Sequence, residues 1–222
     1  RGLPILTNVL LETVDGALRV SSTTLEIGLV TTIEATINLP GALAVPAKNL
    51  LETVAEIPAG TITIEVKDCH LRITCDSVRF GGRIAGIPAE EFPALPTESA
   101  YASEIEMPVA DLRDLTRRVG FAASTDQTRL SLCGIHLRRV NKHAEAIATD
   151  GHRLSRLSLP GTTTSDREGS SWIIPTAPLE LAEMLSRDES VVRLACGHDV
   201  IRISVEPSGP MLSCEVHSKL VG

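Results

Sequence analysis

Ile62-Thr-Ile-Glu-Val-Lys-Asp-Cys-His-Leu-Arg-Ile-Thr-Cys75 and Val192-Arg-Leu-Ala-Cys-Gly-His-Asp-Val-Ile-Arg-Ile-Ser-Val205 align without a gap. Apolar positions fall on apolar positions, and Arg72-Ile73 falls on Arg202-Ile203. Each stretch alternates with period two on either side of a short turn, the pattern of an antiparallel strand pair with one face buried. Just upstream, Val45-Pro46 followed by a helical pattern matches Ile174-Pro175 followed by another, and Asn8 to Val14 can be laid on Gly134 to Val140. Strand pairs, a helix and further strand pairs therefore occur twice, in a unit of about 125 residues.

The remaining elements follow outward from this repeat. Asp15-Gly16 is a turn signal between two β-rich runs, so Asn8 to Val20 reads as a hairpin. Leu25 to Ile37 reads as a further strand pair closed by the Pro40-Gly41 breaker. Val45 to Glu56 has apolar residues at Leu50, Leu51 and Val54 and reads as one short amphipathic helix. A turn at Lys67-Asp68 joins the strands on either side of it. Pro88, Pro93 and Pro96 leave no room for a long element between Ile87 and Ala100, which places a domain boundary there and divides 1–98 from 99–222. Pro108 to Gly120 reads as a helix with Val109, Leu112, Leu115, Thr116 and Val119 on one face and Arg113, Arg117 and Arg118 on the other. The helix that follows Ile174-Pro175 carries Leu179, Leu181, Met184 and Leu185. The fold class expected is α+β, in tandem domains. By the same repeat, the counterpart of the Pro108 helix falls before Arg1, so the first domain is expected to lack its opening strand and helix.

Composition narrows the function. The chain has 222 residues, 43% hydrophobic and 22% charged, enough for two cores of ordinary size. Only 2% are aromatic, which removes the usual base-stacking platform for single-stranded nucleic acid. No apolar run of about 18 residues occurs and Arg1-Gly-Leu-Pro-Ile-Leu does not read as a secretory signal, so a cytoplasmic home is the expected default. The five cysteines contain no C-x-x-C pair and read as reduced core residues. A net charge of −7 argues against a protein that coats DNA with its whole surface. Between Arg113 and Lys142, however, Arg113, Arg117, Arg118, Arg129, Arg138, Arg139 and Lys142 face only Asp114 and Asp126, so one local basic face is expected on an acidic body.

Four segments carry a family resemblance: Leu3-Pro-Ile-Leu-Thr-Asn-Val-Leu-Leu, Ile87-Pro-Ala-Glu-Glu-Phe-Pro-Ala-Leu, Ala148-Thr-Asp-Gly-His-Arg-Leu154 and Ser218-Lys-Leu-Val. In their order and spacing the sequence resembles the beta sliding clamps of bacterial DNA polymerase holoenzymes over essentially its whole length. The resemblance implies a DNA-clamp fold, with outer antiparallel sheets and inner helices in each domain. It implies a non-catalytic processivity factor, a head-to-tail ring dimer of three domains per protomer that encircles double-stranded DNA without regard to sequence, near the nucleoid. Its partners would be the replicative polymerase catalytic subunit, the clamp loader and repair proteins carrying clamp-binding peptides.

Carried over by position, Lys48, Arg113, Arg117 and Arg118 would face DNA phosphates, with Arg129 near the inner rim. Thr149, Gly151, His152, Arg153 and Leu154, with Leu132 on the floor, would form half of an apolar cleft for extended peptides. Two features depart from the pattern. Thr176-Ala-Pro-Leu-Glu-Leu-Ala-Glu has no basic residue on the second inner helix, and the third domain has no counterpart, so a monomer or a non-ring association is expected of this chain. A clamp-fold interaction module that does not encircle DNA is the alternative reading.

Catalysis and cofactors are not expected. Asp150, His152 and Ser155 invite a hydrolase reading, but no G-x-S-x-G elbow exists and the short spacing does not set a His between acid and nucleophile. His136, His143, His152, His198 and His217 do not pair at metal-ligand spacing, and most read as surface or turn residues. No phosphate-cradling glycine motif is present.

Overall fold

The computed structural model describes residues 4–77, 80–95, 101–141, 143–164, 170–206 and 211–221. Leu3, Lys142 and the end of the proline-rich stretch, Pro96 to Ala100, lie outside the described residues. The chain divides into two compact units, Arg1–Leu25 with Val30–Ala94, and Glu26–Leu29 with Leu95–Gly222.

In the first unit, β1 (Asn8–Val14) and β2 (Ala17–Thr23) form the hairpin read from Asp15-Gly16, with Val14 opposite Ala17. Gly16 takes φ +69°, which the two-residue loop requires and a side chain would resist. With β3 (Ile27–Glu34) and β4 (Ala42–Pro46) the order is β3-β2-β1-β4. Helix α1 (Ala47–Ala55) follows directly, started by Pro46 at φ −56°. A three-stranded sheet completes the unit, β5 (Ile62–Lys67), β6 (His70–Cys75) and β7 (Phe80–Ala85) in that order. Leu11, Leu43, Val45, Leu71, Ile73 and Ile84 make its main core.

The second unit repeats this plan and adds to it. It opens with β8 (Tyr101–Pro108) and helix α2 (Val109–Arg118), followed by β9 (Ile135–Val140), β10 (His143–Thr149) and β11 (Leu154–Leu159). The short strands β12 (Thr163–Thr164) and β13 (Ser171–Ile174) lead to α3 (Thr176–Leu185). Strands β14 (Val191–Gly197), β15 (Val200–Val205) and β16 (Met211–Lys219) end it. One sheet runs β11-β10-β9-β13 and the other β12-β8-β14-β15-β16. Leu112 and Leu115 of α2 and Leu179 of α3 are fully buried in one core with Leu194 of β14 and Ile203 of β15.

Several local expectations are corrected. Leu25 to Ile37 holds a single strand, because nothing between Leu29 and Ile37 can turn the chain; the positive φ lies ahead of it, at Leu25. The β5–β6 turn is centred on Asp68 and Cys69, both at positive φ, one residue later than the sequence suggested, and it leaves Cys69 exposed rather than in the core. Of the expected apolar face of α1 only Leu50 packs against the core; Leu51 and Val54 are exposed and the helix buries no residue. Met184 is 82% exposed: α3 buries Pro178, Leu179 and Ala182, and Met184 falls on another side. Not every histidine is at the surface: His217 is buried, with Nε2 3.3 Å from Glu215 Oε2.

Leu115→Ala should destabilise the chain by roughly 2–5 kcal/mol, since the cavity would open beneath two packed helices. Met184→Ala should change it by less than about 0.5 kcal/mol. Urea denaturation of the two variants checks the assignment of buried and exposed helix faces.

Candidate functional site

The β10–β11 hairpin ends in the pair Thr149 opposite Leu154, and the chain between them carries Gly151, His152 and Arg153. Side chains of the loop satisfy its backbone. Thr149 Oγ1 donates to the Arg153 carbonyl at 2.6 Å and accepts from the Gly151 amide at 3.1 Å. The Asp150 carboxylate accepts from the His152 amide at 2.9 Å, the Arg153 amide at 3.0 Å and Arg153 Nε at 3.0 Å. Those two backbone amides, His152 first, hold the Asp150 carboxyl down at about 2. Gly151 sits at φ +92°, and a Cβ there would stand 3.4 Å from Arg129 Nη1. The motif that looked like an acid–histidine pair is thus a self-braced turn. Ser155 Oγ donates to the Arg118 carbonyl at 2.5 Å, which ties the hairpin to the end of α2.

Exposed apolar side chains stand on the turn and on the segments that precede β9. Leu154 and Leu130 are exposed, and Leu132 is half-buried in a short turn before β9. The Arg153 guanidinium lies 5.3 Å from the centre of the Phe121 ring, itself exposed. Two members were absent from the sequence reading of this place. Phe121 follows α2 and gave no periodic signal, and Arg129, expected at the inner rim, has its guanidinium beside Gly151. Below the loop, buried Glu145 accepts from Arg138 Nε at 2.7 Å and from Arg156 Nε at 2.5 Å. Burial works to raise the Glu145 carboxyl, but the two guanidinium groups outweigh it and hold the carboxyl below the usual range. Fixed polar groups beside exposed leucines suit binding of an extended chain.

The five cations expected to face DNA are all in ion pairs. Lys48 Nζ lies 3.8 Å from Glu52, Arg113 Nη2 2.5 Å from Asp188, and Arg117 Nη2 3.5 Å from Glu183. Arg118 Nε lies 3.1 Å from Asp114 and Arg129 Nε 3.3 Å from Asp126. Thr116 donates to the other oxygen of Glu183 at 2.5 Å. On α1, α2 and α3 together, Lys48, Arg113, Arg117 and Arg118 are set against Glu52, Asp111, Asp114, Glu180 and Glu183, so the helices carry no excess of positive charge.

Two α+β units that share a plan of antiparallel strands and short helices, one described helix in the first and two in the second, define a tandem clamp-domain protein. Residues 1–96 match the family model for the DNA polymerase III beta subunit N-terminal domain, and residues 106–215 match that for its central domain. The chain belongs to the DNA polymerase III beta subunit family. It is 37% identical to the beta sliding clamp of Synechocystis over 77% of this chain and 45% of that protein. It is 29% identical to the beta sliding clamp of Escherichia coli K12 over 91% of this chain and 55% of that protein. The crystal structure of the DNA polymerase III subunit beta from Pseudomonas aeruginosa superposes with a TM-score of 0.87 at 28% identity, covering 100% of this chain and 59% of that one. The chain spans about half the length of the curated relatives it matches.

The depressed Asp150 carboxyl has a pH signature. Its folded value lies below the ordinary aspartate value of 3.8, so the brace is fully present above that value and lost as pH falls toward about 2. NMR shifts of the His152 and Arg153 amides should titrate with a midpoint near the lower value; a midpoint at the ordinary one would show the brace to be absent.

Proposed function

We propose that this chain is the working front part of a sliding clamp, a non-catalytic processivity factor that holds the replicative polymerase on duplex DNA. The observation that carries the reading is the whole-length match of both units to clamp domains at high structural similarity. Within a protein of the relatives' length, the units would contribute to a ring dimer around DNA in the cytoplasm, near the nucleoid. Thr149, Gly151, His152, Arg153, Leu154 and Leu132 would receive the apolar anchors of short peptides from the polymerase catalytic subunit, the clamp loader and repair proteins. The braced loop supports this role, because a preformed surface loses little entropy when an extended peptide lies on it. The position of Arg129 beside Gly151 favours a place for it at this cleft as well as at the inner rim.

For DNA, the roles proposed for Lys48, Arg113, Arg117 and Arg118 require a change of partner. Exposed ion pairs are worth only about 0–1 kcal/mol each, so a phosphate can replace a carboxylate at little cost. Contact of this kind is weak, independent of sequence and steeply dependent on salt. The same pairing, with no positive excess on the helices, favours a second reading, a clamp-fold interaction module that does not encircle DNA.

Retention on nicked circular DNA against the same DNA made linear separates the two. A form extended to the relatives' length from the genomic reading frame should stay on circles and leave linear DNA; equal loss from both would favour the module. Neutralising Arg113, Arg117 and Arg118 together should reduce the slope of log affinity against log salt by about 0.9 for each phosphate that the three guanidinium groups had neutralised. Leu154→Ala should weaken binding of a polymerase-derived peptide by roughly tenfold or more, read by fluorescence anisotropy, with the fold unchanged.

A further inference from the structure

The four-stranded sheet of the second unit carries a charge balance opposite to that of the chain. Strands β9, β10, β11 and β13 contain three arginines, Arg138, Arg139 and Arg156, against one carboxylate, Glu145, whereas the whole chain has a net charge of −7. Strand alternation sorts these residues by face. Leu157 and Leu159 of β11 pack into the core, which leaves Leu154, Arg156 and Ser158 on the solvent side. On that same side the register sets Ile147 opposite Arg156, and Glu145 between Ser158 of β11 and Arg138 of β9. Arg139 falls on the other side, its Nε donating to the Asn141 carbonyl.

One buried carboxylate thus takes two guanidinium groups. Arg138 Nε and Nη2 donate to Glu145 Oε2 at 2.7 and 2.5 Å, and Arg156 Nε donates to Oε1 at 2.5 Å. Although burial works to raise it, the Glu145 carboxyl is held below the usual range by these two groups, so it is ionised and the triad carries one net positive charge. His136 beside it adds none at neutral pH, because burial and then Arg138 push its imidazole down. The Glu145 side chain is 7% exposed, while those of Arg138 and Arg156 are 40% and 61% exposed. A guanidinium has five N–H donors, and Glu145 engages only part of each set, so both arginines keep donors for a further anion. Arg138 alone would neutralise Glu145; Arg156 is the charge in excess.

We infer that Arg138 and Arg156, held together by Glu145, receive an acidic side chain of the partner peptide, placed beyond its apolar anchor. Leu154 and Arg156 are alternate residues on one side of β11, about 7 Å apart along the strand. An extended peptide with an apolar residue against Leu154, running beside β11 toward Ser158, brings an aspartate or glutamate roughly two to four residues further on over the two guanidinium groups. A carboxylate balances the single excess charge, whereas a phosphate dianion would overshoot it next to Glu145. Nucleic acid is favoured less, since Trp172, the aromatic of these four strands, packs against the core and offers bases no platform. This receiving site rests on the peptide-cleft reading of Thr149 to Leu154 and adds a charge requirement to it.

The test compares two short fluorescein-labelled peptides by anisotropy, one with a pair of leucines followed about three residues later by aspartate, the other with asparagine in that place. The aspartate peptide should bind the present chain about threefold or more tighter at low salt, and the advantage should shrink as salt is raised. Arg156→Gln should bring the aspartate peptide down to the affinity of the asparagine peptide, while shifting the Tm by no more than about 2 °C, as expected of an exposed side chain. Leu154→Ala should weaken both peptides by the same factor. Equal affinity for the two peptides, or an advantage that survives Arg156→Gln, with Leu154→Ala still weakening both, would overturn the inference and leave the cleft standing. No effect of Leu154→Ala on either peptide would remove the cleft and the receiving site with it. Stronger competition by a single-stranded oligonucleotide than by the unlabelled aspartate peptide, relieved by Arg156→Gln, would assign the face to nucleic acid and overturn the inference equally.

Discussion

An antiparallel sheet with one apolar face must have that face covered, and in this chain the covering is done by very short helices. The burial of Leu194 and Ile203 beneath Leu112, Leu115 and Leu179 is the contact on which the second unit depends. Helices of ten residues have little stability of their own in water, so α2 and α3 persist because their apolar stripes are packed and not because of propensity. In the first unit no described helix lies over the matching sheet edge, and the exposure of β5 is the direct result.

That packing also fixes the surface features. The end of α2 holds the β10–β11 hairpin through Ser155, and the hairpin presents the turn of Thr149 to Leu154. Inside the turn, the hydroxyl of Thr149 and the carboxylate of Asp150 take up the backbone groups that a sharp bend leaves without strand partners. Gly151 is needed there by its φ and by the nearness of Arg129. Residue types that suggest catalysis on paper thus act as scaffolding, and the outward side of the loop is left to leucine, histidine and arginine.

The basic side chains of the described helices are matched by acidic ones. The guanidinium groups of Arg113, Arg117, Arg118 and Arg129 are each matched by a carboxylate, some from the same helix, as with Arg118 and Asp114, and some from a distant segment, as with Arg113 and Asp188. A surface of this kind is nearly neutral at a distance and exchanges partners at close range, which favours mobile contact over tight capture.

Legible in the sequence alone were the repeat, the strand pairs around residues 62–75 and 192–205, the three helices and the buried Leu112, Leu115 and Leu179 of the last two, because apolar periodicity is set locally by backbone geometry. The Thr149–Leu154 turn was legible as well, since Thr-Asp-Gly-His-Arg-Leu is short enough to fold against itself. Only the tertiary structure decided that Met184 and Leu51 face outward, that Phe121 and Arg129 join the turn, and that every proposed DNA-facing cation has a carboxylate at hand. Those outcomes depend on which segments, far apart in the chain, arrive beside one another, as Asp188 does at Arg113, and on a covering element such as α2 lying over one sheet edge but not its repeat. Burial and ion pairing are properties of neighbours in space, and alternation along a strand says which face is apolar without saying what will cover it.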